Sequence, residues 1–181
     1  MSMVAAVLQE FDNEAKTTRR ILERVPTDKL TWKPHPKSMS LGELALHVAG
    51  SPAVISGWCC ESETTFTGAK MPEPKSQAEI LAAHDEGVKT VKESLTKVGD
   101  EGLKAMWSAK AGGATLMQMP KTALVRAIVM NHWIHHRGQL SVYLRLLDIP
   151  VPSIYGPSAD ENPFAAGAGT PAAGTAAVGV A

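Results

Sequence analysis

Cysteine is nearly absent from this 181-residue chain: Cys59 and Cys60 are its two, side by side. Neighbouring cysteines are poorly placed to bond each other. With no disulfide framework available, the chain suits a reducing cytoplasm. Net charge is absent too. Eighteen Lys and Arg balance eighteen Asp and Glu, which argues against an extended basic surface for nucleic acid. No apolar run approaches the roughly 20 residues that span a bilayer. The opening Met-Ser-Met-Val-Ala-Ala-Val-Leu-Gln-Glu has no basic region ahead of an apolar core, so no signal peptide is expected. These absences predict a soluble, cytoplasmic protein without nucleic-acid or membrane partners. The length suits one well-buried domain.

What is present is helical periodicity, in four segments. In the first, Val4, Leu8, Phe11, Ala15, Thr18, Leu22 and Val25 recur at spacings of three and four, and the helix ends before Pro26. The second opens at Ser40 with Glu43 three residues on, the arrangement of a capping box, and runs to about Glu61. A second Ser-x-x-Glu, Ser76 to Glu79, opens the third, which continues through Ile80, His84, Val88, Val91, Leu95 and Val98 and stops at Gly99. The fourth starts after Pro120 and runs to about Leu147.

The connections are long. Residues 62–75 are polar with Pro72 and Pro74, and residues 99–119 alternate weakly on either side of Gly112-Gly113, the pattern of a short hairpin. Even so, the chain as a whole reads as all-α. The domain is placed at residues 1–160, followed by an Ala/Gly-rich tail, 161–181, too poor in apolar pattern to fold.

The chemistry lies in Asn131-His132-Trp133-Ile134-His135-His136-Arg137-Gly138-Gln139. His132 and His136 are one helical turn apart and share a face. On a wheel of about 100° per residue, Val125, Ile128, Val129, Tyr143, Leu146 and Leu147 surround them as an apolar stripe. His132 and His136 fall in its middle and His135 at its edge. Arg126, Arg137, Arg145 and Asp148 group on the opposite side. Several neutral imidazoles in an apolar stripe need partners that a core supplies poorly. A metal ion bonds one nitrogen of each and leaves the other for a supporting acceptor. Geometry alone leaves His135 open as the partner of His132. A further ligand is required from elsewhere, with His47 and His84 as candidates on the second and third helices and His35 expected in an exposed loop.

Leu46-His47-Val48-Ala49-Gly50 and Asn131-His132-x-x-x-His136-Arg137-Gly138-Gln139-Leu140 resemble the DinB superfamily, as do Trp32-Lys33-Pro34 and the stretch from Tyr143 to Ser158. The resemblance covers roughly residues 1–160. It implies a four-helix bundle, connected up-down-down-up, that holds a divalent metal through His47, His132 and His136. It is this resemblance that prefers His136 over His135 and His47 over His84.

Three neutral imidazoles suit zinc or nickel foremost, and iron(II), cobalt or manganese besides, with positions left open for water or substrate. The resemblance implies a thiol-dependent transferase or isomerase using a low-molecular-weight thiol, or a hydrolase, acting on an unidentified small molecule, and it implies a homodimer. The competing expectation is a metal-binding or helical interaction protein without catalysis. Gln139 is expected to reach a ligand or a bound water, or else to be satisfied by backbone. Arg137 is expected to anchor the segment around Tyr155, and Gly138 to admit a close neighbour. Trp58 is expected on the face of His47, as core or pocket wall. No carboxylate is expected in either histidine stripe.

Overall fold

The computed structural model describes residues 2–68 and 72–165. Helix α1 (Met3–Leu22) begins at Ser2, whose hydroxyl accepts from Ala5 N. The carboxylate of Asp100, far along the chain, accepts from Met3 N (3.1 Å) and Val4 N (2.9 Å) at the same end. Helix α2 (Leu41–Trp58) starts with the expected capping box, Ser40 and Glu43 each satisfying the other's backbone N–H. Helix α3 (Gln77–Lys104) is capped by Ser76 and breaks at Gly99, whose φ of 65° lies outside the helical region, before one last turn.

The final helical rod is composite. It is α-helical over α4 (Lys121–Leu124), π-helical over Val125–Asn131 and α-helical again over α5 (His132–Leu146). Around the bundle α3 packs on α1 and α2, while α5 packs on α2 and α1.

The all-α expectation is overturned. A three-stranded mixed sheet joins the four helical units, with β1 (Glu63–Thr65) parallel to β2 (Met106–Ala111) and β2 antiparallel to β3 (Ala114–Pro120). The Gly112-Gly113 hairpin is present: Ala111 pairs with Ala114, and both glycines have positive φ (54° and 81°), as a two-residue turn between twisted strands requires. Strand β1 was invisible because Glu63-Thr64-Thr65 shows no alternation of its own. It exists by pairing with residues more than forty positions later, Glu63 with Ser108 and Thr65 with Lys110. The sheet docks through Trp107, which is fully buried, donates Nε1–H to Thr64 Oγ1 (3.0 Å) and lies parallel to Trp58 at 5.8 Å.

One contact ties α2 to α5 beside the histidines. Pro52 has no N–H, so the carbonyl of Val48, four residues before it, lacks its usual helical donor. Trp133 Nε1–H donates to that oxygen instead at 2.8 Å, and its ring stacks on Phe11 at 4.9 Å. A large side chain buried in this way contributes roughly 1.5–3 kcal/mol. Trp133 therefore sets both the spacing and the register of the two helices that carry the site.

After α5 the chain turns at Asp148 and stays tethered. Asp160 accepts from Val151 N and pairs with Arg145, and Glu161 pairs with Arg20. The segment assigned to a tail thus begins with a residue held by an ion pair, and its remainder, 166–181, lies outside the described residues.

Candidate metal centre

His47 comes from the middle of α2, His132 opens α5, and His136 follows one turn later. Each offers a nitrogen, and the three nitrogens all lie within 4.8 Å of one another. The rings stand nearly perpendicular in pairs: 79° for His47 and His132, 86° for His47 and His136, 82° for His132 and His136. Nε2 of His132 and Nε2 of His136 are 3.0 Å apart. His136 Nδ1–H donates to Oε1 of Gln139 at 2.7 Å, which leaves its Nε2 lone pair facing the cluster. Of the two readings of Gln139, the one touching a site histidine is the one seen.

The wheel misplaced the core. The buried positions of α5 are Trp133, Arg137, Leu140 and Leu144, about 100° round from the stripe inferred from sequence. His132 and His136 are half-buried on the seam with α2, while Leu146 is exposed. The cause is Arg137. It counted as polar and so as outward, yet it is 1% exposed and ion-paired with Glu14. Its predicted contact with the segment around Tyr155 is present, Nη2 donating to the Tyr155 hydroxyl at 2.6 Å.

Gly138 admits no close neighbour: a Cβ there would meet nothing within 4 Å. His135 is exposed, and its nitrogens are not part of the converging set. His84 is buried elsewhere, donating Nε2–H to Ala15 O at 3.2 Å. His35 is exposed, as expected.

Electrostatics keep the three rings neutral. Burial pushes the His47 imidazolium down to about 4, and the neighbouring His136 and His132 add to the effect. His132 and His136 are also lowered, in each case chiefly by burial. At neutral pH the lone pairs are therefore free of protons. Buried polar atoms around them are also short of partners. Among the described residues four buried side-chain polar atoms lack any hydrogen bond, and three belong here: His47 Nε2, His132 Nδ1 and Ser51 Oγ. Ser51 sits one turn after His47 on the same cavity wall. A divalent ion accepting a lone pair from each ring removes the deficit at His47 and relieves the close His132–His136 contact. The residues present fit such an ion.

The depressed His47 value has a consequence for stability. Between about pH 6.5 and about pH 4 the unfolded chain takes up a proton at this position that the folded chain refuses. Stability therefore rises with pH through that window and is lost on acidification. The urea midpoint of metal-free protein is expected to be lower at about pH 5 than at about pH 7.5; a flat or inverted profile would contradict the burial of this ring.

Beside His47 and His132 opens a cavity of about 870 Å³, which Trp58 lines, as expected of a wall residue. Glu43 lines it too, a carboxylate the sequence reading excluded from the histidine stripe. It is committed: it accepts from Ser40 N at 2.7 Å and from Lys33 Nζ at 3.3 Å, and the Ser40 backbone bond holds its pKa below the usual range. Cys59 is buried, with its thiol pushed up to about 11 by burial, and takes no part.

The family model for the DinB family matches residues 1–165 of this chain. The uncharacterised protein YrdA of Bacillus subtilis is 24% identical over 160 residues, covering 85% of this chain and 89% of that relative. The uncharacterised protein YjoA of the same organism is 26% identical over 143 residues, 77% of this chain and 87% of that one. Among solved structures, a DinB-like protein from Bacillus cereus superposes with a TM-score of 0.67 at 24% identity, covering 85% of this chain and 98% of that chain. The structure of YjoA gives a TM-score of 0.62 at 21% identity, covering 81% of this chain and 96% of that one.

Proposed function

The chain belongs to the DinB family, and from that premise we propose that it holds one divalent transition-metal ion through His47, His132 and His136 and uses it on a small-molecule substrate. The carrying observation is the set of converging, neutral and partly unpartnered imidazole nitrogens. Zinc or nickel suits that donor set best, with iron(II), cobalt and manganese as further candidates. Three protein ligands leave positions open, and an ion in such a site supplies Lewis-acid chemistry, lowering the pKa of a water or a thiol.

The protein's own residues orient and shield. Gln139 fixes the tautomer of His136, Trp133 holds α2 against α5, and Trp58 supplies apolar wall beside His47. Glu43, which lines the cavity, is bound to its helix cap and is not free to act as a base. The reaction we assign is a thiol-dependent transfer or isomerisation, or a hydrolysis, carried out by a homodimer.

The test is metal analysis of protein made without a histidine tag, followed by turnover screens with thiol–electrophile pairs and with esters and amides. About one equivalent of a transition metal is expected, with turnover lost in His47→Ala. Protein that retains no stoichiometric metal, or turnover that survives His47→Ala, sinks the reading.

A further inference from the structure

Large apolar side chains left in water call for an explanation when they gather around one hollow. Met39 (40% exposed), Val54 (59%) and Met117 (38%) do so, all lining the cavity that His47 and His132 border. Val54 and Trp58 follow His47 by seven and eleven residues, so one face of α2 carries an imidazole and then an apolar strip. Another part of the wall comes from the sheet, through Phe66 just after β1 and Met117 on β3. That wall is braced, because Trp58 lies between Phe66 at 5.2 Å and Trp107 at 5.8 Å. At about 870 Å³ the hollow falls within the range of small-molecule sites. Lys33, Lys37 and Glu43 also line it, and charged residues of this kind are depleted at the cores of protein interfaces.

We propose that this trough binds the apolar body of the substrate, an aliphatic or aromatic small molecule whose polar head lies against His47 and His132. The assignment rests on the metal reading for what happens to the head, and on the trough alone for where the tail goes. The sheet is then a specificity element: it supplies the wall that a bare bundle would lack.

The experiment is calorimetric titration of the full chain, metal-loaded and metal-stripped, with acetohydroxamate and octanohydroxamate. The two acids share a head and differ in tail length. Each buried methylene is worth roughly fourfold in affinity. Allowing for partial burial, the octanoyl acid is expected to bind at least about 30-fold more tightly than the acetyl acid, in both metal states. Val54→Arg, at an exposed position, should cut that ratio to about threefold or less with metal content unchanged.

A wild-type ratio of about three or below, or no binding of the octanoyl acid, overturns the proposal. So does a ratio that survives both Val54→Arg and Met117→Arg. If Val54→Arg instead turns a dimer into a monomer in sedimentation, the face belongs to a second copy and the proposal is wrong. If the wild-type chain takes up no metal yet keeps the tail-length preference, the trough assignment stands and the metal reading falls.

Discussion

His136→Ala is expected to weaken metal binding by on the order of 10³-fold, while His135→Ala, one residue away, leaves the affinity within about threefold. The two rings sit 5.0 Å apart, and sequence gives them similar claims. The structure separates them. His136 is half-buried, its Nε2 aimed at His132 and its Nδ1 held by Gln139, whereas His135 is exposed and outside the converging set. Gln139→Ala should fall between, at roughly 10–100-fold, the range for losing a group that orients a metal-bound histidine.

Competition for zinc against a chromophoric chelator measures all three. A thermal melt supplies an independent readout: added zinc should raise the wild-type midpoint by mass action and leave His136→Ala unmoved. Equal effects of His135→Ala and His136→Ala would remove the geometric basis for the site.

Why His136 could be singled out by resemblance but not by periodicity is a matter of locality. Helix starts are written in a few adjacent residues, and they could be read: Ser40 with Glu43, Ser76 with Glu79, and the break at Gly99 each appear where local chemistry puts them. The two-glycine turn was readable for the same reason. What failed depended on partners distant in sequence. Strand β1 pairs with residues more than forty positions on, and three polar residues cannot announce that.

The face of α5 was misjudged because the burial of Arg137 depends on Glu14, 123 residues earlier. The π-helical run just before His132 adds a second source of error. A wheel at 100° per residue does not hold through wider turns, so positions before Asn131 cannot be projected onto those after it. The cavity followed the sheet into invisibility. The pair His132 and His136 survived because a spacing of four inside one α-helix needs no tertiary information.

Arg137→Ala is expected to destabilise the fold by about 3–5 kcal/mol, the cost of leaving a buried partner charge uncompensated. In a chain of this size that is a fall in melting temperature of roughly 6–20 °C. The guanidinium contacts Glu14 Oε2 (2.6 Å), the Tyr155 hydroxyl (2.6 Å), Thr18 Oγ1 (3.1 Å) and Glu14 O (3.2 Å). Tyr155 in turn donates to Glu14 Oε2 at 2.8 Å. One side chain thus joins α1, α5 and the segment after α5. Arg137→Lys keeps the charge but not the fork, and should recover only part of the loss.

The decisive measurement is a double-mutant cycle. If the pair matters through charge compensation, Arg137→Met combined with Glu14→Leu should cost less than the sum of the single changes, because no unpaired charge remains. Strict additivity would mean that Arg137 acts by packing alone. Metal content separates this structural role from the site. Arg137 points toward α1 and the histidines toward α2, so Arg137→Met assayed well below its melting temperature should still hold the ion that His136→Ala releases.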